Sequence, residues 1–249
     1  MRADLPPSTP RARLIINGVP CGSVEPELAR QMAAAGLPLS LLGDDWAIDG
    51  APDASLALIA RWLHLHGHGG KWRDELLAVT SDSGEVLAAV ERAAVRALGI
   101  ATRAVHLVGV AASGQVWVQR RALDKAVDPG MLDTLVGGLA AFGESTHDTL
   151  ERETWEEAGL RLSDLRGLRD IGRLVVKRPV SDGYMVEHIE MFSAELPAGV
   201  APQNQDGEVM GFECLDVEAL LAGMRADQFT FEATLIHAHW VETVAGRPA

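Results

Sequence analysis

The first apolar run, Leu14-Ile15-Ile16, closes on Asn17-Gly18 before Val19, a strong short-range signal for a β-hairpin. A helix is expected over residues 25–34. Another is expected over 54–66, where Leu56, Ile59, Ala60 and Leu63 fall on one stripe at helical spacing. Residues 76–79 and 86–88 flank Asp82-Ser83-Gly84 as a second hairpin, and a helix over 91–98 stops at Gly99. Residues 12–98 thus read as a small α+β unit. The pattern changes near Thr102. Strands are expected at 105–110 and 116–119 about a turn at Ser113-Gly114, then at 171–176 and 185–192 about Ser181-Asp182-Gly183. A helix after Gly137-Gly138 and two more at 217–224 and 231–241 complete a layered α/β domain over 99–249. Residues 1–10 hold three prolines and no apolar core, and read as a frayed tail.

Composition narrows the partners. The 249 residues are 47% hydrophobic, enough for one large core or two modest ones. A net charge of −13 repels nucleic-acid phosphates, and no basic run offsets it, so a nucleic acid duplex is not an expected partner. A small phosphorylated substrate stays open, because a bound divalent cation inverts the local field. No apolar run reaches the roughly 18 residues of a membrane span, so no membrane partner is expected. Cys21 and Cys214 are too far apart to suggest a disulfide framework or a zinc site, and a reducing, cytoplasmic setting is expected.

The chemistry lies between Gly138 and Leu160. Ser145 can cap a helix with Asp148 in its first turn, Leu150, Thr154 and Ala158 recur every four residues toward a core, and Gly159 suits the stop. Glu153, Glu156 and Glu157 stand at i, i+3 and i+4, so one helical face carries three carboxylates. Such a face can be merely solvated. It can also gather Mg²⁺ or Mn²⁺, which prefer oxygen ligands and would relieve the repulsion.

Glycine, five residues, glutamate, seven residues, Arg-Glu, two residues, Glu-Glu, one residue and Gly-Leu match the box of the Nudix hydrolase family, which this chain resembles at every fixed position. Thr154 departs from the usual aliphatic residue. Its hydroxyl is expected to bond the Leu150 carbonyl. The resemblance implies an α/β/α sandwich with a mixed sheet, and divalent cations held by Glu153, Glu156, Glu157 and the Gly138 carbonyl. It also implies a structural Arg152–Glu144 pair and attack of water on a phosphorus of a diphosphate. Glu153 would bind metal, act as base, or do both. A further catalytic carboxylate is sought outside the box. Glu208 is the first candidate; Glu187 and Glu190 are others, on opposite faces of one strand.

The stretch before the box supplies Trp117, Arg120, Arg121 and Lys125, of which the cations could grip a terminal phosphate. Together with an N-terminal extension, it resembles the Nudix portion of fungal thiamine pyrophosphokinase-related proteins. That subgroup implies hydrolysis of thiamine diphosphate, or its oxo and hydroxy forms, to the monophosphate. Trp117 or Trp155 could stack on a heterocycle. Trp155 lies off the core stripe, and contact with the N-terminal unit is its ordinary reading. Competing readings are a hydrolase of nucleoside diphosphate derivatives, an enzyme similar to isopentenyl diphosphate isomerase, and a non-catalytic Nudix-fold binding module. The isomerase type relies on a cysteine and histidine-rich ligands, whereas no cysteine lies between Cys21 and Cys214 and His147 is the only box histidine. A binding module would be expected to lose box carboxylates. His64, His66 and His68 do not share a helix face and read as a helix end, and His237 and His239 warrant the same reading. Ser113, Ser145 and Ser181 have no partner pattern for a nucleophilic triad, so water is the expected nucleophile. A homodimer is compatible with all of this.

Overall fold

A computed structural model describes residues 2–245. Met1 and the final residues, 246–249, of the expected tail and second unit lie outside the described residues. The N-terminal part builds a four-stranded sheet from β2 (Ala12–Ile16), β3 (Val19–Val24), β4 (Leu39–Leu42) and β5 (Asp45–Ile48), in the order β3-β2-β5-β4. Helices α1 (Pro26–Ala34) and α2 (Pro52–Leu65) and the hairpin β6 (Leu76–Thr80)–β7 (Val86–Glu91) complete its core, in which Leu14, Ile16, Met32, Leu56, Ile59 and Leu63 are fully buried. The Asn17-Gly18 turn works as the sequence implies, both residues taking positive φ.

The larger sheet is mixed. Its strands are β1 (Arg2–Asp4), β8 (Ala101–Ala111), β9 (Val116–Arg121), β10 (Leu132–Asp133), β11 (Val136–Leu139), β12 (Arg166–Val180), β13 (Gly183–Leu196) and β14 (Val209–Leu215). The main path runs β1-β12-β13-β8-β9-β10, with β11 on β8 and β14 on β9. β13 lies parallel to β8, and β12 antiparallel to β13. Period-2 alternation splits the two faces. Val105 and Leu107 of β8 pack with Leu150 and Ala158 of α3 (Thr146–Ala158). Ala104 and Val108 pack on the other face with Leu220 of α4 (Val217–Arg225) and Ala233, Ile236 and Trp240 of α5 (Phe231–Trp240). The result is an α/β/α sandwich. Truncating a side chain as buried as Leu150 would cost about 2–5 kcal/mol.

Two expectations are corrected, and one element was not expected. The tail at 1–10 is not frayed throughout, because Arg2–Asp4 pairs in parallel with Val175–Lys177 of β12. The helix at 91–98 is only a 3-10 turn, Arg92–Ala94. Residues 93–95 and 97–100 are buried on every side, which leaves no solvent face for a surface helix. The β4–β5 hairpin is unforeseen, since Leu41 and Leu42 are exposed and break the alternation that marks a strand. Among the described residues, no helix is long and apolar enough to cross a membrane.

Candidate active site

Ser145 caps α3 reciprocally with Asp148, and Gly159 ends it in the left-handed region at φ 62°. That fixes the rotation of the helix over β11. Arg152 then reaches back across the loop. Its Nε and Nη2 donate to the two Glu144 carboxylate oxygens at 2.8 and 2.9 Å, and Nη2 also donates to the Leu139 carbonyl at 3.0 Å. The Arg152 hydrogen bonds hold the Glu144 carboxyl down at about 2. Nη1 of Arg152 donates to Glu153 at 2.7 Å and to Glu156 at 3.0 Å.

Glu153 and Glu157 turn inward. Glu157 is 2% exposed and accepts hydrogen bonds from the Gly137 N–H at 2.8 Å and Gln119 Nε2 at 2.9 Å. Burial, reinforced by the Glu153 charge, pushes its carboxyl up to about 8. Burial likewise pushes Glu153 up to about 7, despite Arg152. The Glu153 carboxylate fills the volume that a Cβ on residue 138 would occupy, so glycine is what lets it lie against the backbone there. Glu156 instead stays at the half-exposed rim on Arg152. Among the described residues, no three histidine, cysteine, aspartate or glutamate side chains converge into a ready-made cation cage.

The donor set nonetheless fits a hard cation. Two neighbouring, buried carboxylates with raised pKa values lie against a glycine backbone, and Gln119 Oε1 beside them is buried without a partner. Carboxylate and carbonyl oxygens suit Mg²⁺ or Mn²⁺, and a cation would reverse the burial penalty.

Glu153, Gly137 and Gly138 open into a polar cavity of about 130 Å³ that also receives Arg121, Lys125 and Glu208. Glu208 is ion-paired to Lys125 and lies 3.6 Å from Arg73; burial alone would raise its carboxyl, but these cations leave it lowered. Arg121 pairs with Asp133 at 3.0 Å. Arg120 and Trp117 do not reach the cavity. Arg120, one residue from Arg121 on the pleat, projects to the opposite face and pairs with Glu213 at 2.6 Å. Trp117 packs in the apolar cluster around Leu107, Leu135 and Leu160. Trp155 is half exposed with the Arg161 guanidinium 5.9 Å from its ring centroid, and not in the N-terminal core. The Thr154 hydroxyl is buried without a partner, so the expected bond to Leu150 is absent.

Of the strand pair, Glu187 faces the cavity, where burial and then Glu232 push it up to about 7; Glu190 lies near Arg173 instead. Sequence reasoning missed Arg92, Arg96, Arg178 and Glu232, all of which line the cavity. Their only signal is charge in otherwise buried segments. His66 and His68 both stack on Trp62 at the end of α2, an ordinary packing role.

A sandwich with a capped carboxylate helix over a glycine pair, opening on a polar cavity lined by both arginines and carboxylates, places the chain among layered α/β proteins. The chain belongs to the Nudix family: the NUDIX domain model matches residues 100–235. Nudix hydrolase 24, chloroplastic, of Arabidopsis thaliana is 35% identical over 187 residues, covering 72% of this chain and 51% of that protein. Isopentenyl-diphosphate Delta-isomerase of Rhodobacter capsulatus is 31% identical over 148 residues, covering 59% of this chain and 81% of that protein. The crystal structure of DR0079 from Deinococcus radiodurans shares the fold at TM-score 0.54 and 23% identity, covering 67% of this chain and 99% of that one. The chain spans about half the length of the Arabidopsis thaliana Nudix hydrolases that it matches.

Proposed function

We propose that the protein is a divalent-metal-dependent pyrophosphohydrolase that cleaves the diphosphate linkage of a small organic diphosphate by attack of water at phosphorus. The observation that carries this reading is the buried Glu153–Glu157 pair set against Gly137-Gly138, with Glu153 lining the cavity that Arg121 and Lys125 also line. Glu153, Glu157 and the Gly138 carbonyl would hold Mg²⁺ or Mn²⁺, with Glu156 joining from the rim once released from Arg152. The bound cation supplies positive charge that neutralises the diphosphate and acidifies water. Glu153, next to the cavity, takes the proton from the attacking water. Gln119 and the Gly137 N–H fix Glu157, and Arg152 orients Glu153 while Glu144 anchors Arg152. Arg121 and Lys125 bind phosphoryl oxygens, with Glu208 as a further carboxylate on the same wall.

The substrate we propose is thiamine diphosphate or its oxo and hydroxy analogues, on the subgroup resemblance of the segment around Arg121 and Lys125. The test is a panel of thiamine diphosphates and nucleoside diphosphate derivatives with Mg²⁺, with and without chelator. Monophosphate product from the thiamine series that disappears with chelator supports the reading. Turnover confined to the nucleotides removes thiamine, and no turnover of any diphosphate removes the hydrolase.

A second reading, isomerase chemistry, is favoured by the identity to the Rhodobacter capsulatus enzyme. It lacks a thiol here: Cys21 is buried in the N-terminal core, Cys214 sits on β14 opposite Trp117, and neither lines the polar cavity. Isopentenyl diphosphate in the same panel separates the two, since an isomerised diphosphate rather than a phosphate ester would replace the hydrolase reading.

A further inference from the structure

The polar cavity adjoins a second lobe that residues of the N-terminal unit help to line. Arg92, Arg96, Arg121 and Lys125 line both lobes, and Arg73 lines the second. In a chain of net charge −13 the second lobe is a local concentration of cations, Lys71 lining it as well, against the two lining carboxylates Asp182 and Glu187. Arg92 is held by Glu75 at 2.7 Å and Arg96 by Asp182 at 3.3 Å. The arginine-bearing wall is built firmly. The buried Glu91 carboxylate accepts the backbone N–H of Arg73 at 2.9 Å and of Glu75 at 3.1 Å, and the Gly70 N–H donates to the Ala93 carbonyl at 2.8 Å. The Arg96 carbonyl accepts the Tyr184 N–H at 2.9 Å, which locks the wall to the β12–β13 turn. Gly183 lets the chains approach there, because a Cβ would strike the Arg96 backbone. The positive charge of Arg92 acts on Glu153, Glu187 and Glu208.

We infer that Arg92 and Arg96 of the N-terminal unit are substrate-binding residues that grip the free terminal phosphoryl group of an organic diphosphate monoester. This rests on the hydrolase reading and sharpens its substrate class. A diphosphate with a free end carries about three negative charges near neutral pH, and one esterified at both ends carries about two. Two guanidinium forks beyond Arg121 and Lys125 favour the first, because a free phosphoryl end offers three oxygens for charge-assisted hydrogen bonds. The N-terminal unit is then part of the site and not an appendage to it.

The probes are methylenediphosphonate, with both ends free, and its P,P′-dimethyl ester, titrated into the full chain with Mg²⁺ by calorimetry. The parent should bind the free-ended probe at least about tenfold more tightly than the ester. Arg92→Gln and Arg96→Gln should weaken the free-ended probe by about tenfold or more and the ester by less than about threefold. Arg96→Lys should recover only part of the loss. Asp182→Asn, which frees Arg96 from its competing carboxylate, should tighten the free-ended probe, a gain that misfolding cannot mimic. Unchanged affinity in both glutamine variants, no preference for the free end, or no gain in Asp182→Asn overturns the inference. Turnover separates it from the reading beneath it. A parent that hydrolyses diphosphates while the arginine variants bind unchanged sinks this inference alone. A parent that hydrolyses none, with the binding series as expected, sinks the hydrolase and leaves the anion wall.

Discussion

The Glu153 carboxylate occupies the space that a Cβ at Gly138 would need. Chain and catalyst are fitted at that point by the absence of one carbon. Gly138→Ala is therefore expected to displace Glu153 while leaving the capped helix and both cores in place. Diphosphate hydrolysis should fall on the order of 10²-fold in kcat/KM, as for a misplaced catalytic group, with the melting temperature lowered only modestly. Steady-state kinetics beside thermal denaturation would check this, and a fully active Gly138→Ala protein would contradict the placement of Glu153.

Glu157→Gln keeps an acceptor for the Gly137 N–H and removes a buried ionisable group. Turnover should drop by about 10²–10³-fold. Stability without metal should be unchanged or higher, because a carboxyl at 2% exposure must either take up a proton on folding or lose its hydration, a cost that an amide lacks. A denaturant melt with added chelator reads the stability, and a loss there would show that the carboxylate is structural.

Thr154→Val replaces a hydroxyl that is buried without a partner by a methyl of nearly the same shape. A gain of about 1 kcal/mol is expected, within the range for relieving an unsatisfied polar group. Activity should hold, since Thr154 faces the core and not the cavity. The shift in urea midpoint decides it.

His237 is fully buried, edge-on to Phe229, and neither ring nitrogen makes a hydrogen bond of normal geometry. Burial pushes its pKa down from 6.5 to about 4, with Asp133 and His106 acting in opposite senses. Between those values the unfolded chain binds a proton that the folded chain refuses. Stability from this group is therefore intact above about 6.5 and falls as the pH drops toward about 4, by up to about 1.4 kcal/mol per pH unit. His237→Leu should flatten that slope. Equal slopes in urea titrations of the two proteins from pH 7 to 4 would refute it.

The box was readable because everything in it is local. Ser145, Asp148 and Gly159 set the helix ends, and spacing alone brings Glu153 and Glu157 to one side. What spacing did not give was the splitting of the carboxylates, for Glu156 turns to Arg152 only because Glu144 has drawn that guanidinium across the loop. Arg120 and Arg121 look equivalent in a list of cations; the pleat sends one to Glu213 and the other to the cavity. Arg92 and Arg96 carried no signal beyond their charge in a buried segment, because a contact between units has no period. The expected helix around them failed for the same reason, its residues being buried by partners distant in the chain.

The pairing of Arg2–Asp4 with Val175–Lys177 has a consequence for how the chain assembles. A ribosome must release most of the polypeptide before the first few residues can find their neighbour, and such distant closure is slow. The four-stranded unit, whose strands pair only with one another, can condense well before that. Completion of the larger sheet then draws the opening segment across to β12, fastening the early-formed unit to the late-formed one.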